Sequence, residues 1–145
     1  MLNFGPDMRG QIETREFAIE DYEAAIELWK RVEGLEIAEG DDREGIGQFL
    51  ARNPGLSRVA TDGTTIVGVA LCGHDGRRGH IYHLAVDPAY QGGGLGKRLL
   101  DESLADLRRI GIKRVIIMWR PLLSLHYCAR CFLRSVGLAD HLRPC

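Results

Sequence analysis

The first apolar stretch, residues 11–17, fits a short strand, after which the spacing of apolar positions changes. Tyr22, Ala25, Ile26, Trp29 and Val32 recur at helical intervals, with acidic Glu20 and Asp21 ahead of them and Gly34 where a helix can stop. Ile46, Phe49 and Leu50 mark a second, shorter helix that follows Gly40-Asp41-Asp42 and ends before Asn53-Pro54-Gly55. The period then falls to that of strands. Residues 57–60 and 65–72 flank an Asp62-Gly63 turn, residues 74–79 have turn composition, and residues 80–86 form the next strand. Leu99, Leu100, Leu104, Leu107 and Ile110 define an amphipathic helix closed by Gly111, followed by a strand over 113–119 and a final helix over 122–136. The order β-α-α-β-β-β-α-β-α predicts an α/β (α+β) domain with adjacent antiparallel strands followed by a crossover.

Composition narrows the function classes. The 145 residues suit one domain, expected over 1–145, and a 45% apolar with 27% charged balance excludes a disordered chain. No apolar run reaches the ~18 residues of a membrane span, and the opening residues lack a secretory core, so a cytoplasmic protein with no membrane partner is expected. Nineteen basic against 20 acidic residues, a net charge of -1, give no general attraction for nucleic acid. With no export signal, Cys72, Cys128, Cys131 and Cys145 read as reduced thiols. Cys128-x-x-Cys131, near His126, His141 and Cys145, has one half of a zinc pattern but only a ragged second pair, so no metal is expected.

Glycine is in excess at 18 residues, and four of them fall within five positions between a strand and a helix: Gln91-Gly92-Gly93-Gly94-Leu95-Gly96-Lys97. Such a turn can point backbone N–H groups inward, and the helix start behind it adds partial positive charge, which together suit a pyrophosphate. A Walker A loop fails here, because its leading glycine falls on Gln91 and its hydroxyl on Arg98. The dinucleotide pattern fails as well, since its last glycine falls on Lys97. Gln91-x-x-Gly94-x-Gly96 remains.

In that setting, Leu84-Ala85-Val86-Asp87-Pro88-x-Tyr90-Gln91-Gly92-Gly93-Gly94-Leu95-Gly96, with Leu99-Leu100 behind it, resembles the acyl-CoA signature of the GNAT superfamily of N-acetyltransferases. The order of elements resembles that fold, a mostly antiparallel central sheet with helices on both faces. Residues 15–22 and 40–42 are similar to those of small bacterial members. The resemblance implies two strands that splay apart, with the pantetheine arm of acetyl-CoA paired to Leu84, Ala85 and Val86. Its pyrophosphate would lie on amides of Gln91, Gly92, Gly93, Gly94, Leu95, Gly96 and Lys97. It further implies direct transfer of acetyl from the thioester to an amine, on a small molecule or on a protein or peptide. A backbone cradle of this kind needs no basic excess in the chain.

The amine must be neutral to attack, so a base is useful. His80, Tyr82 and His83 lie on the strand entering the site, and the loop carrying Glu39, Asp41 and Asp42 is expected to face the acceptor. Regular alternation would put His83 on the face opposite His80 and Tyr82. Glu39, Asp41, Asp42 and Glu44 suggest a cationic acceptor, and equally a solvated helix start.

The family's ending, approximately N-x-x-A-x-x-F-Y-x-x-x-G-F, aligns Ala129, Phe132 and Gly137 but sets Leu133 where the proton-donating tyrosine stands. Tyr127 is the nearby tyrosine, on a different helical face. Composition shifts abruptly after Met118, which marks 119–145 as atypical and is the pattern an altered reading frame would leave; an altered last helix could also expose apolar surface and favour a homodimer. The missing tyrosine keeps a non-catalytic CoA-binding or assembly module as the alternative.

Overall fold

The computed structural model describes residues 11–32 and 35–117. Within them the chain runs β1 (Ile12–Glu16), a 3-10 turn (Ile19–Asp21), α1 (Tyr22–Arg31), α2 (Arg43–Arg52), β2 (Arg58–Asp62), β3 (Thr65–His74), β4 (Gly79–Val86), a second 3-10 turn (Pro88–Tyr90), α3 (Leu95–Arg109) and β5 (Val115–Ile117). The expected order is present through β5. The final helix expected over 122–136, with Tyr127, His126, His141, Cys128, Cys131 and Cys145, lies outside the described residues, as do Gly34 and the last two positions of the strand expected over 113–119.

Local chemistry accounts for the boundaries. The Asp42 carboxylate accepts the Gly45 N–H at 2.7 Å and so starts α2. Asp21 stands at the start of α1, as expected, and its carboxylate accepts the Ala18 N–H and two hydrogen bonds from the Arg15 guanidinium, which ties the first 3-10 turn to β1. α1 ends at Arg31, one residue before Val32. Strands β3 and β4 reach further into their hairpin than expected, and the Asp75 carboxylate closes the tip by accepting the N–H groups of Arg77 and Arg78.

The five strands lie in sequence order in one sheet, antiparallel except for β4 and β5, which are parallel and joined through α3. Two apolar layers cover it. On one face Leu28 and Trp29 of α1 and Ile46 of α2 pack on Val59, Val69, Leu71 and Ala85. On the other, Leu99, Leu100 and Leu107 of α3 pack on Ala60, Ala70, Cys72 and Ile81. Alternation along β3 and β4 feeds both layers, which is why these central strands read as nearly continuous apolar runs. Among the described residues no helix is long and apolar enough to cross a membrane.

Regular alternation fails at one point on β4. Ala85 stands opposite Val69 and Tyr82 opposite Leu71, so His83 and Leu84 share the space opposite Ala70. This is a β-bulge, and His83 takes the positive φ of 46° that absorbs the extra residue.

Candidate active site

The end of β4 is held in place by side chains before the glycine turn begins. Asp87 accepts the Ala89 N–H at 3.0 Å and receives the Arg31 guanidinium of α1 at 2.9 Å. The Tyr90 hydroxyl donates to Asp62 of β2 at 2.6 Å, a contact that raises the phenol's pKa, and the Gln91 side-chain amide donates to the Val86 carbonyl at 2.9 Å. The turn that follows has Gly92 at φ 82° and Gly94 at φ 83°, left-handed conformations in which a side chain is strained. Leu95 then opens the 15-residue helix α3, whose first-turn amides have no intrahelical partners to bond. Among the described residues no atom outside the turn comes within 4 Å of the place a Cβ would occupy on Gly92 or Gly94, so that side of the turn is open.

The nearby cations are engaged elsewhere. Lys97 pairs with Asp101 and Arg98 with Glu102, each one helical turn on, and Arg98 also donates to the Ile12 carbonyl. The arrangement therefore offers an anion main-chain N–H groups and the positive end of α3 rather than a side-chain charge.

Leu84, Ala85 and Val86 end β4, one 3-10 turn ahead of the glycines. Among the described residues β5 pairs with β4 only from Gly79 to Ile81, while β3 pairs with β4 along nearly its whole length. The stretch from Tyr82 to Val86 thus has described ladder partners on one side.

The bulge corrects the expectation for the three residues ahead of it. His80 and Tyr82 stack with ring centroids 5.8 Å apart, Tyr82 meets Phe49 of α2 edge-on, and His83 lies against Trp29 of α1 at 4.7 Å. All three rings occupy the face covered by α1 and α2, because the bulge inserts one residue and turns His83 back to the side that Tyr82 occupies. His83 also reaches Asp41 in the α1–α2 loop, Nε2 to Oδ1 at 2.9 Å, with 19% and 14% of the two side chains exposed. The loop is pinned there: the Tyr22 hydroxyl donates to the Asp41 carbonyl at 2.8 Å and the second Asp41 carboxylate oxygen accepts the Ala38 N–H. The sequence alone did not pair His83 with Asp41; 42 positions separate them, and neither period nor composition signals the bulge. Among the described residues no three His, Cys, Asp or Glu side chains gather as a metal site would need.

This fold is one in which solved N-acetyltransferases are built. Ard1 from Thermoplasma volcanium superposes with a TM-score of 0.71 at 21% identity, over 88% of this chain and 82% of that one. The PaiA N-acetyltransferase from Thermoplasma acidophilum, solved in complex with coenzyme A, gives 0.67 at 22% identity, over 78% and 82%. In sequence, an acetyltransferase of Pectobacterium atrosepticum is 34% identical over 109 residues, 75% of this chain and 77% of its relative. The profile of the acetyltransferase (GNAT) family matches residues 14–135. The chain belongs to that family of N-acetyltransferases.

Proposed function

We propose that this protein, as a single domain, transfers acetyl from acetyl-CoA to a primary amine by direct attack. The observation that carries the reading is the turn itself: Gly92 and Gly94, both left-handed, lead into α3, one 3-10 turn after the stretch of β4 beyond its described pairing with β5. The amides of residues 91–97 would hold the pyrophosphate without a counter-charged side chain, as a helix start and a glycine nest can. The backbone of Leu84, Ala85 and Val86 would take the pantetheine arm as an added strand, which orients the thioester. An N–H near Val86 then meets the oxyanion as the amine adds to the carbonyl carbon, and the thiolate leaves as the C–S bond breaks. The coenzyme A in the solved PaiA complex supports this choice of donor.

Titration calorimetry with acetyl-CoA, followed by coenzyme A release in the presence of an amine panel, tests the proposal. Saturable binding with amine-dependent release is the expected outcome. Absence of binding overturns the donor site. Tight binding without turnover on any amine favours a non-catalytic coenzyme A module, the reading that Leu133 at the family's tyrosine position keeps in play.

A further inference from the structure

We infer that His83 is the base that takes a proton from the acceptor amine and that Asp41 is the residue that positions it, a pair brought together only by the β4 bulge. The inference rests on the acetyl-transfer reading above. Four observations converge on it. His83 sits immediately before Leu84, at the start of the stretch proposed to hold the thioester arm. Its φ of 46° is a conformation that a residue with a side chain adopts at a cost of about 1–2 kcal/mol, and such strain persists where the surroundings impose it. Its ring is clamped between Trp29 and Asp41, from two different elements. Finally, 19% of the side chain remains exposed, so the ring is not sealed from solvent.

The contact with Asp41 sets the chemistry of the ring. Nε2, 2.9 Å from a carboxylate oxygen, is the nitrogen that carries the proton in the neutral imidazole, which leaves the lone pair on Nδ1. An ammonium acceptor gives one proton to Nδ1 and becomes a neutral amine; Asp41 stabilises the resulting imidazolium. The amine nitrogen forms the C–N bond, and the C–S bond breaks. The second nitrogen proton ends on the departing sulfur, while His83 returns its own to water. The products are the amide, coenzyme A as the thiol, and one proton released.

His80 and Tyr82 are the other candidates on this face, and they stack on each other rather than pairing with a carboxylate. Of the nearby carboxylates, Asp87 is taken up by Arg31 and Asp42 caps α2.

The test compares the wild type with His83→Gly, His83→Asn and Asp41→Asn, using spermidine, a lysine-containing peptide and an alanine-initiated peptide as acceptors. Glycine and asparagine both tolerate positive φ, so the His83 variants keep the bulge, and a thermal melt confirms that each folds. Expected are a 10²- to 10³-fold fall in kcat for both His83 variants, an unchanged KM for acetyl-CoA, and partial rescue of His83→Gly by imidazole in the medium. Asp41→Asn should lose about tenfold in kcat with the KM for acetyl-CoA unchanged, a split that general loosening of the fold would not give. A His83→Asn enzyme within twofold of wild type, or an Asp41→Asn enzyme with unchanged kcat, overturns the inference while acetyl-CoA binding stands. Wild-type protein that binds acetyl-CoA and acetylates none of the three acceptors overturns it as well. Wild-type protein that fails to bind acetyl-CoA overturns the underlying reading instead.

Discussion

The buried hydroxyl of Ser57 bridges to both main-chain polar groups of Cys72, accepting its N–H at 2.9 Å and donating to its carbonyl at 3.3 Å. Ser57 lies just before β2, where the ladder to β3 ends at the Arg58 and Ala70 pair, so its side chain extends that ladder by one step. Truncation to Ser57→Ala leaves two main-chain groups without their partner in a dry interior, which costs about 1–3 kcal/mol. Urea unfolding should show the unfolding free energy falling by that amount, through a lower midpoint at unchanged slope, and an unchanged midpoint would refute the account.

Cys72 itself is fully buried, and burial, with Asp106 adding repulsion, pushes its thiol up to about 12. Thiolate is the reactive form, so Cys72 should resist alkylation at pH 8 in the native protein and react on unfolding. Peptide-level mass spectrometry after iodoacetamide, with and without denaturant, distinguishes Cys72 from the other three cysteines. Rapid native labelling at Cys72 would contradict its burial.

Gly92→Ala and Gly94→Ala each force a side chain into the left-handed region, at about 1–2 kcal/mol. If the turn relaxes to escape that strain, its amides lose their common direction, and the Kd for acetyl-CoA should rise about tenfold. Gly93→Ala, at a position without positive φ, is the control and should bind more nearly as wild type does. Calorimetry on the three variants checks the ranking.

Asp21 provides a pH-dependent contribution. The hydrogen bonds from Arg15, helped by the Ala18 N–H and opposed by partial burial, hold its carboxyl below the usual range. A carboxyl depressed in the folded state stabilises above its unfolded pKa of ~3.9, and that stabilisation is lost as pH falls through the lower folded value. Asp21→Asn should therefore cost about 1 kcal/mol at pH 7, the range for a paired but partly exposed group. The gap between variant and wild type should close below about pH 4. Melting curves across that range test the sign; a gap that widens in acid would contradict it.

How much was legible in the chain depends on the range of the interaction concerned. Apolar spacing located α1 and α3, since a helix buries a stripe that recurs within a few residues, and the Asp42 cap and Gly63 turn are equally local signals. The glycine turn was legible for the same reason: strand, bend and helix follow one another without interruption from Gly79 to Arg109. Asp21 was legible as the start of α1, but its partner was not: the guanidinium of Arg15, two elements earlier, takes the carboxylate.

The face that His83 presents was set elsewhere. Strand alternation is a rule for a ladder without insertions, and whether one residue is inserted depends on how β3 and β4 find their register when Val69, Leu71 and Ala85 pack beneath α1. By itself, then, the sequence determined the order of the elements through β5, the apolar stripes of the helices and the glycine turn, because each is encoded in neighbouring residues. Only the tertiary structure decided that His80, Tyr82 and His83 share one face and that Asp41 closes on His83, because those contacts arise from packing between segments far apart in the chain.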